Sequence, residues 1–248
     1  HFTLVPLFFI KGPQKLLSVR GMLHPGALAE KQLKKKLFLQ AMKLMGLQKR
    51  TALHSTDALE TGHIREQLGD TIKLFEAANF PRSIGPLTLP AKVAGALQLV
   101  SIGLISPMKN ILLVLQALQQ CIEQVQYDIF GPVKDPVYWE QCLQVIAQLP
   151  PNIKVQYHKE VSPYYVPQAL QKGQVFILPS KSENFGHAIY EALSAGLPVI
   201  TSGFTPWNGL EAQHAGMNVS NSIAGIRAAV RMFAAMDAAE FALWSKGA

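Results

Sequence analysis

From residue 97 onward, short apolar runs alternate with helix-like segments, and this alternation constrains the fold more than any other feature of the sequence. The connections between the segments are short. Such a pattern predicts a parallel sheet covered by helices on both faces, the doubly wound Rossmann-like α/β class. The predicted strands are residues 97–105, 126–130, 153–157, 174–179, 198–202 and 217–219, and the predicted helices are residues 110–121, 137–149, 164–171, 187–195, 207–215 and 222–236.

The pattern also predicts how the chain divides into domains. Residues 1–90 are less regular and are expected to form a partial amino-terminal Rossmann-like domain that ends in a linker rich in proline and glycine. Residues 91–236 form the predicted second domain. Residues 237–248 are expected to form a helix that crosses back to the first domain.

Within the first domain, residues 4–10 are apolar and are predicted to form a buried strand. They lack a preceding basic region and a cleavage site, so a strand is favoured over a signal peptide. A basic helix is expected at residues 27–47 and a short strand at residues 51–54. Ser55 or Thr56 is the expected cap of the helix that follows.

Lysines and leucines alternate along the predicted basic helix, which gives it one apolar stripe and one cationic face. One interpretation is a solvated surface helix. The other is an in-plane helix that contacts anionic lipid head groups through Lys31, Lys34, Lys35 and Lys36. The leucines of the stripe are Leu33, Leu37, Leu44 and Leu47.

The composition excludes several classes of protein. Hydrophobic residues make up 49% and charged residues 16%, which excludes a disordered chain. The net charge of +7 suits nucleic acid, an anionic membrane face or a phosphorylated substrate and does not choose among them. No aromatic-basic platform is present, so nucleic acid has little support. No apolar run reaches the roughly 20 residues of a membrane span. Cys121 and Cys142 are predicted to be buried free thiols in a reducing cytoplasm.

The loop after the predicted strand at residues 174–179 is the most informative segment. Glu183 lies in this loop, Gly186 opens the next helix, and Glu191 lies about one turn into it. Gly196 occupies a left-handed C-cap position. Ligands of parallel sheets bind beyond the carboxyl ends of the strands, and a helix amino terminus there offers N–H groups and a positive dipole end to phosphate.

Two carboxylates beside an anion site accept hydrogen bonds from hydroxyl groups rather than bind the anion. A ligand with a diphosphate between two hydroxyl-rich rings fits this arrangement, and a nucleotide sugar is such a ligand. The alternative is that Glu183 is a charge near a helix terminus and Glu191 a surface residue. Two glutamates at this spacing do not decide between these interpretations on their own.

Residues 174–202 resemble the signature of the group 1 (family 4) glycosyltransferases of the GT-B fold. The likeness is carried by an E-x7-E motif from Glu183 to Glu191 with Asn184, Phe185 and Gly186 inside it. The resemblance covers nearly the whole chain and is strongest over residues 97–220. Further similar segments are the donor-phosphate loop at residues 106–110, the second strand and glycine turn at 126–131, the loop at 205–207 and an acceptor-side loop at 20–23.

The resemblance implies a role for each matching residue. Glu183 is expected to contact hydroxyl groups of the transferred sugar, and Glu191 to bind those of the ribose. Lys109 is expected to neutralise the distal phosphate as the leaving group departs, with Ser106 in the same loop. Backbone N–H groups for the sugar and diphosphate are expected from Asn184, Phe185, Gly186 and His187, and His158 and Lys159 are expected to face the base.

The resemblance also implies a reaction. Family members retain anomeric configuration without a divalent metal, so we expect a metal-independent hexosyltransferase with no cofactor beyond a UDP- or GDP-linked donor. The expected acceptor is a glycan or lipid-linked molecule in polysaccharide or cell-surface glycan synthesis. The expected location is the cytoplasm, with peripheral contact at the inner membrane face.

The sequence departs from the family pattern at two places. Leu104 stands where an arginine usually precedes the phosphate-loop lysine, and the first domain is short. None of His24, His54 or His63 is assigned to the donor sugar. These departures keep open a non-catalytic nucleotide-sugar-binding module. The missing G-x-G-x-x-G after the first regular strand speaks against a dinucleotide-dependent oxidoreductase.

Overall fold

The computed structural model describes Leu7, Phe9, Leu28, residues 15–23 and residues 32–248. The chain divides into two units, His1–Phe80 and Pro81–Ala248. The division falls at the start of the segment that is rich in proline and glycine. The exact domain boundaries inferred from the sequence, including a last helix that crosses between domains, stay predictions.

The described residues of the first unit form a three-stranded parallel sheet. Its small core includes Leu53 and Ile64, which are fully buried. In chain order its elements are β1 (Lys15–Ser18), α1 (Gln32–Leu44), α2 (Leu47–Arg50), β2 (Thr51–Ser55), α3 (Ala58–Leu68) and β3 (Leu74–Glu76). The strands lie in the order β1-β2-β3.

The second unit contains a six-stranded sheet in which every neighbouring pair is parallel. Its strands are β4 (Ala96–Ile102), β5 (Gln124–Phe130), β6 (Ile153–Tyr157), β7 (Val175–Leu178), β8 (Val199–Ser202) and β9 (Gly216–Val219), in the order β6-β5-β4-β7-β8-β9. All residues of β7 and β8 are buried. The predicted doubly wound α/β class is confirmed.

Helices connect these strands and bury the sheet. They are α4 (Ile111–Leu118), α5 (Pro136–Ile146), α6 (Val166–Leu170), α7 (His187–Ser194), α8 (Ile223–Ala235) and α9 (Ala238–Gly247), with short 3₁₀ turns at Pro163–Tyr165 and Glu211–Gln213. In α9, Phe241 is buried in the core of this unit, and Trp244 packs edge to face against Phe233.

One predicted helix is wrong. Residues 207–215 form a loop with a single 3₁₀ turn, because Gly209 and His214 have left-handed backbone conformations that interrupt a helix. The Asn218 side chain forms hydrogen bonds with backbone groups of this loop instead. Its amide donates to the carbonyl oxygen of Trp207 at 2.7 Å, and its oxygen accepts from the N–H of Leu210 at 3.3 Å.

Two predictions in the first unit need correction. Most of residues 4–10 lie outside the described residues, and the described Leu7 and Phe9 have helical rather than extended backbone. The helix at Ala58–Leu68 is capped by Asp57, whose carboxylate accepts the N–H of Glu60. Ser55 and Thr56 cannot serve as caps because their hydroxyl groups bond to Thr61 and Glu60.

The basic helix also differs from its prediction. It ends at Leu44 because Gly46 adopts a left-handed conformation. Apolar stripes of surface helices normally face the core, but Leu33, Leu37 and Leu44 are exposed. The fourth leucine of the predicted stripe, Leu47, is buried, but it lies in α2. The buried side is formed by Leu39 and Met42 instead. Of the four lysines assigned to lipid contact, Lys31 lies outside the described residues.

Both cysteines are buried free thiols, as predicted. Burial raises the pKa of Cys121 to about 11 and that of Cys142 to about 12. Both thiols are therefore poor nucleophiles near neutral pH. Within residues 32–248 and the shorter described stretches before them, no helix has the length and apolar character needed to cross a membrane.

Lys92 joins the start of the sheet to the end of helix α8. Its ammonium group is buried and donates to the carbonyl oxygens of Val93, Ala96, Ala234 and Met236 at 2.8–3.0 Å. Three N–H bonds are shared among four acceptors, two of which belong to the carboxyl end of the helix. A cation is favourable there because the helix dipole places partial negative charge at that end.

We expect Lys92→Met to destabilise the second unit by about 2 kcal/mol, because four carbonyl oxygens lose a buried charged donor. Unfolding in urea measures this through tryptophan fluorescence, since Trp139, Trp207 and Trp244 all lie in this unit. The control is Lys154→Met, at an exposed strand position, which should change stability little. Equal effects of the two substitutions would contradict the assigned role of Lys92.

Candidate functional site

The candidate site lies at the carboxyl edge of the six-stranded sheet, around the loop between β7 and α7. Gly186 precedes α7 with φ 79°, and Gly196 follows its C-cap residue Ala195 with φ 81°. Both helix boundaries therefore lie where the sequence predicts them. The first N–H groups of an α-helix have no partner within the helix, so this end of α7 is able to bind an anion.

The backbone and surroundings at position 186 favour glycine. A Cβ atom there would lie 3.2 Å from Ile189 Cδ1 and 3.3 Å from Trp207 Nε1, and the backbone is left-handed. The carbonyl oxygen of Gly186 accepts the N–H groups of Ile189 and Tyr190, which begins the helix. The glycine therefore allows the tight entry into α7.

Glu183 and Lys109 form an ion pair. Their side chains are 10% and 22% exposed, so the pair is largely shielded but still reached by solvent. Ser180 Oγ donates to the same Glu183 carboxylate at 2.7 Å. The structure thus brings together the two residues that sequence analysis assigned to the sugar and the distal phosphate.

Backbone and side-chain bonds join the two loops that carry this pair. Lys181 donates its backbone N–H to the carbonyl oxygen of Met108 at 2.8 Å, and Asn110 Nδ2 donates to that of Pro179 at 3.2 Å. Ser106 is buried, and its carbonyl oxygen accepts the N–H of Lys109 at 3.0 Å. The position of Lys109 is therefore set by its loop before any ligand binds.

An aromatic cluster supports the other side of the loop. Phe185 lies 4.8 Å from His187 and 5.5 Å from Trp207, measured between ring centroids, and Tyr190 lies 5.8 Å from Trp207. Trp207 Nε1 donates to the carbonyl oxygen of Phe185 at 2.5 Å. These contacts hold the backbone of the loop in one conformation.

Glu191 lies on α7, one turn after His187, and is half-buried. Burial raises the pKa of its carboxyl group, and the nearby charges of His187 and Arg82 oppose that shift. The carboxylate is therefore less well solvated than one on an open surface. A ligand hydroxyl group that donates to the Glu191 carboxylate would replace hydrogen bonds to water that burial removes.

His158 and Lys159 follow β6; His158 contacts the end of β5, and Lys159 contacts Gly131, the residue after it. His158 Nε2 donates to the buried carboxylate of Asp128 at 2.5 Å, and its ring stacks on Phe130 with centroids 4.4 Å apart. The carbonyl oxygen of Lys159 accepts the N–H of Gly131 at 2.6 Å. These contacts keep the His158 ring and the Lys159 cation at the same edge of the sheet as the Lys109–Glu183 ion pair.

Leu104 occupies the position where a second cation was expected. It lies in the loop after β4, and its side chain is 42% exposed.

Among the described residues, no group of three or more His, Cys, Asp or Glu side chains is arranged to hold a metal ion.

A sequence profile described as "Glycosyl transferases group 1" matches residues 91–216, half of the chain. The chain belongs to the group 1 glycosyltransferases. The matched segment contains the whole constellation around Glu183. The finer assignment to family 4 stays a prediction. No curated protein sequence was found to match the chain.

Solved structures of other proteins share the fold of this chain. A crystal structure of HepE from Anabaena in complex with UDP and glucose is 15% identical, with a TM-score of 0.71, over 94% of this chain and 65% of that one. Sucrose-phosphate synthase from Thermosynechococcus elongatus is 18% identical, with a TM-score of 0.74, over 96% of this chain and 62% of that one. The glycosyltransferase therefore has the GT-B fold and spans less than two thirds of either protein.

Sequence analysis missed three residues that shape the site. Ser180 hydrogen-bonds to Glu183, Asp128 orients His158, and Tyr190 completes the aromatic cluster. The signal for Asp128 was present, because a carboxylate in the middle of an apolar strand needs a partner. Ser180 and Tyr190 carry no comparable signal, since serine and tyrosine are common in loops and helices.

Removal of either member of the Lys109–Glu183 pair should destabilise the second unit. We expect Lys109→Met and Glu183→Gln each to cost about 1–2 kcal/mol, and the double variant to cost about 1 kcal/mol less than their sum. Urea unfolding of the four proteins measures this coupling. Lys154→Met with Glu240→Gln, two exposed residues that form no ion pair among the described residues, is the additive control. Strict additivity of the Lys109 and Glu183 substitutions would contradict the coupling.

Proposed function

We propose that this glycosyltransferase binds a nucleotide-sugar donor at the loop between β7 and α7 and transfers the sugar with retention of configuration. The observation that carries the proposal is the ion pair between Lys109 and Glu183. Glu183 lies three residues before Gly186, the glycine that precedes α7. A cation, a carboxylate and a helix amino terminus at one place suit a donor that has both a diphosphate and a hydroxylated ring.

The diphosphate lies against the first turn of α7 in this proposal. Backbone N–H groups of the segment from Asn184 to His187 donate to the sugar and the diphosphate, and Glu183 accepts from sugar hydroxyl groups. Glu191 binds the ribose, and Ser106 helps to shape the phosphate loop. His158 and Lys159 face the base. The complex of HepE with UDP and glucose supports a UDP-linked donor.

Charge development explains why Lys109 matters for the rate. As the bond between the sugar and the diphosphate breaks, negative charge grows on the distal phosphate, and the bond to the acceptor oxygen forms on the same face of the sugar. The acceptor proton passes to the leaving diphosphate. A cation already held in place stabilises this charge most in the transition state. The proposed reaction requires no metal ion and no further cofactor.

The acceptor is proposed to be a glycan or a lipid-linked molecule, in the synthesis of a polysaccharide or cell-surface glycan, and the transferred group a hexose. The proposed location is the cytoplasm, with peripheral membrane contact through Lys31, Lys34, Lys35 and Lys36. Lipid contact suits a lipid-linked acceptor because both then lie at the same surface.

A second candidate function is a non-catalytic nucleotide-sugar-binding module. The observation that favours it is Leu104, an exposed leucine at the position of the expected second phosphate-binding cation. Loss of one charge-assisted phosphate contact costs about 1.5–3 kcal/mol, which lowers donor affinity or turnover.

We expect Glu183→Gln to lower sugar turnover at least about 100-fold, because the donor sugar loses its charged acceptor in the transition state. Binding of UDP alone should stay within about twofold, since UDP carries no sugar. The measurements are hydrolysis and transfer with UDP-glucose and GDP-glucose, and calorimetry with UDP and GDP. Glu140→Gln on α5 is the matched exposed control. Nucleotide binding without any turnover in the unmodified protein would favour the non-catalytic module.

We expect Glu191→Gln to weaken UDP binding about tenfold and to abolish the preference for UDP over 2′-deoxy-UDP, because the ribose loses its carboxylate partner. The raised pKa of Glu191 adds a pH test. As the pH falls toward that pKa the carboxylate is neutralised, so UDP affinity should fall more steeply in the unmodified protein than in Glu191→Gln. An unchanged preference for UDP in the variant would place the ribose elsewhere.

A further inference from the structure

Helix α1 exposes a stripe of leucines to solvent. The side chains of Leu33, Leu37 and Leu44 are 78%, 63% and 88% exposed. At about 100° per residue, these three positions lie within about 40° of one another around the helix. Single exposed leucines are common on protein surfaces, but a contiguous stripe marks a surface that another apolar phase covers.

The other side of the same helix is already occupied. Leu39 and Met42 are 9% and 3% exposed and belong to the core of the first unit. Helical geometry places them about 140–220° around the helix from the leucine stripe. Helix α1 therefore has two apolar faces, and among the described residues the core buries only one of them.

Lysines flank the exposed stripe on both sides. Lys34 lies on one side, and Lys36 and Lys43 lie on the other, at about 60–100° from the leucines. All three are exposed. Long lysine side chains in this position can reach anionic head groups while the apolar stripe sinks between them.

We infer that helix α1 lies in the plane of an anionic lipid bilayer and inserts Leu33, Leu37 and Leu44 below the head groups. This extends the lipid contact proposed above from charge attraction by lysines to insertion of an apolar stripe, and it does not depend on sugar transfer. The flanking charges favour a bilayer over a second copy of this chain, because a symmetric pairing of the stripe would place lysines against lysines.

Vesicle flotation of the full 248-residue chain tests the inference. The protein should float with phosphatidylglycerol vesicles and remain unbound with phosphatidylcholine vesicles. The combined variant Leu33→Ser, Leu37→Ser, Leu44→Ser should bind at least about tenfold less even at low salt. The matched control replaces Ile122, Val137 and Leu243, which are exposed in the second unit, by serine and should bind as the unmodified protein does.

Charge is tested separately. Lys34→Glu, Lys36→Glu, Lys43→Glu should abolish flotation, whereas Lys154→Glu, Lys172→Glu, Lys246→Glu makes the same charge change at exposed positions of the second unit and should retain most of it. Equal loss in both variants would show attraction by net charge alone and would overturn the inference. Calorimetry with UDP should be unchanged in the α1 variants, so a failed donor site is distinguishable from a failed membrane surface.

Insertion is read directly by a fluorophore at position 37. Cys121 and Cys142 are buried with raised pKa values, so a polarity-sensitive label reacts selectively with the new thiol of Leu37→Cys. Its emission should shift to the blue with phosphatidylglycerol vesicles and be quenched by brominated acyl chains. The same label on Ile122→Cys should not respond.

Two outcomes overturn the inference. One is vesicle binding without any change in the label at position 37, which means adsorption by charge or through another part of the chain. The other is a blue shift without vesicles that coincides with a doubled mass in analytical ultracentrifugation, which means that a second copy covers the stripe. Absence of flotation with anionic vesicles likewise rejects it.

Discussion

The parallel pairing of β4 with β7 is the constraint on which the rest of the second unit depends. Leu99 pairs with Val175, and Val100 with Phe176, so the carboxyl ends of both strands meet at one edge of the sheet. Lys109 and Glu183, which are 74 residues apart in the chain, form an ion pair across the two loops that leave this edge. The sheet therefore concentrates opposite charges at one place beside the amino terminus of a helix.

The loops of this edge are held rigidly before any ligand binds. Trp207 anchors the carbonyl oxygen of Phe185, Asn110 anchors that of Pro179, and the left-handed backbone at position 186 favours glycine. Preorganised charges and dipoles stabilise a developing charge without reorganising during the reaction, which is why rigid loops suit the proposed transfer. The exposed Leu104 is the place where this arrangement lacks a charge that group 1 relatives are expected to carry.

Local signals predicted most of the second unit. Apolar runs that alternate with helical segments are sufficient for a parallel sheet, and Gly186 and Gly196 mark the ends of α7 because left-handed residues interrupt a helix. The same rules failed where side chains compete for backbone groups. Asn218 stabilises a loop at residues 207–215 where periodicity indicated a helix, and Asp57 caps α3 although Ser55 and Thr56 precede it.

The sequence alone determined the fold class of the second unit, the E-x7-E motif and the amphipathic pattern of the basic helix, because each is encoded by residues near one another in the chain. Tertiary structure alone decided that Lys109 meets Glu183, that Asp128 holds His158, and that the core takes Leu39 and Met42 while Leu33, Leu37 and Leu44 face outward. Periodicity shows that a helix has an apolar stripe, but the neighbouring strands and loops determine which apolar face is buried, and those contacts join residues far apart in the chain.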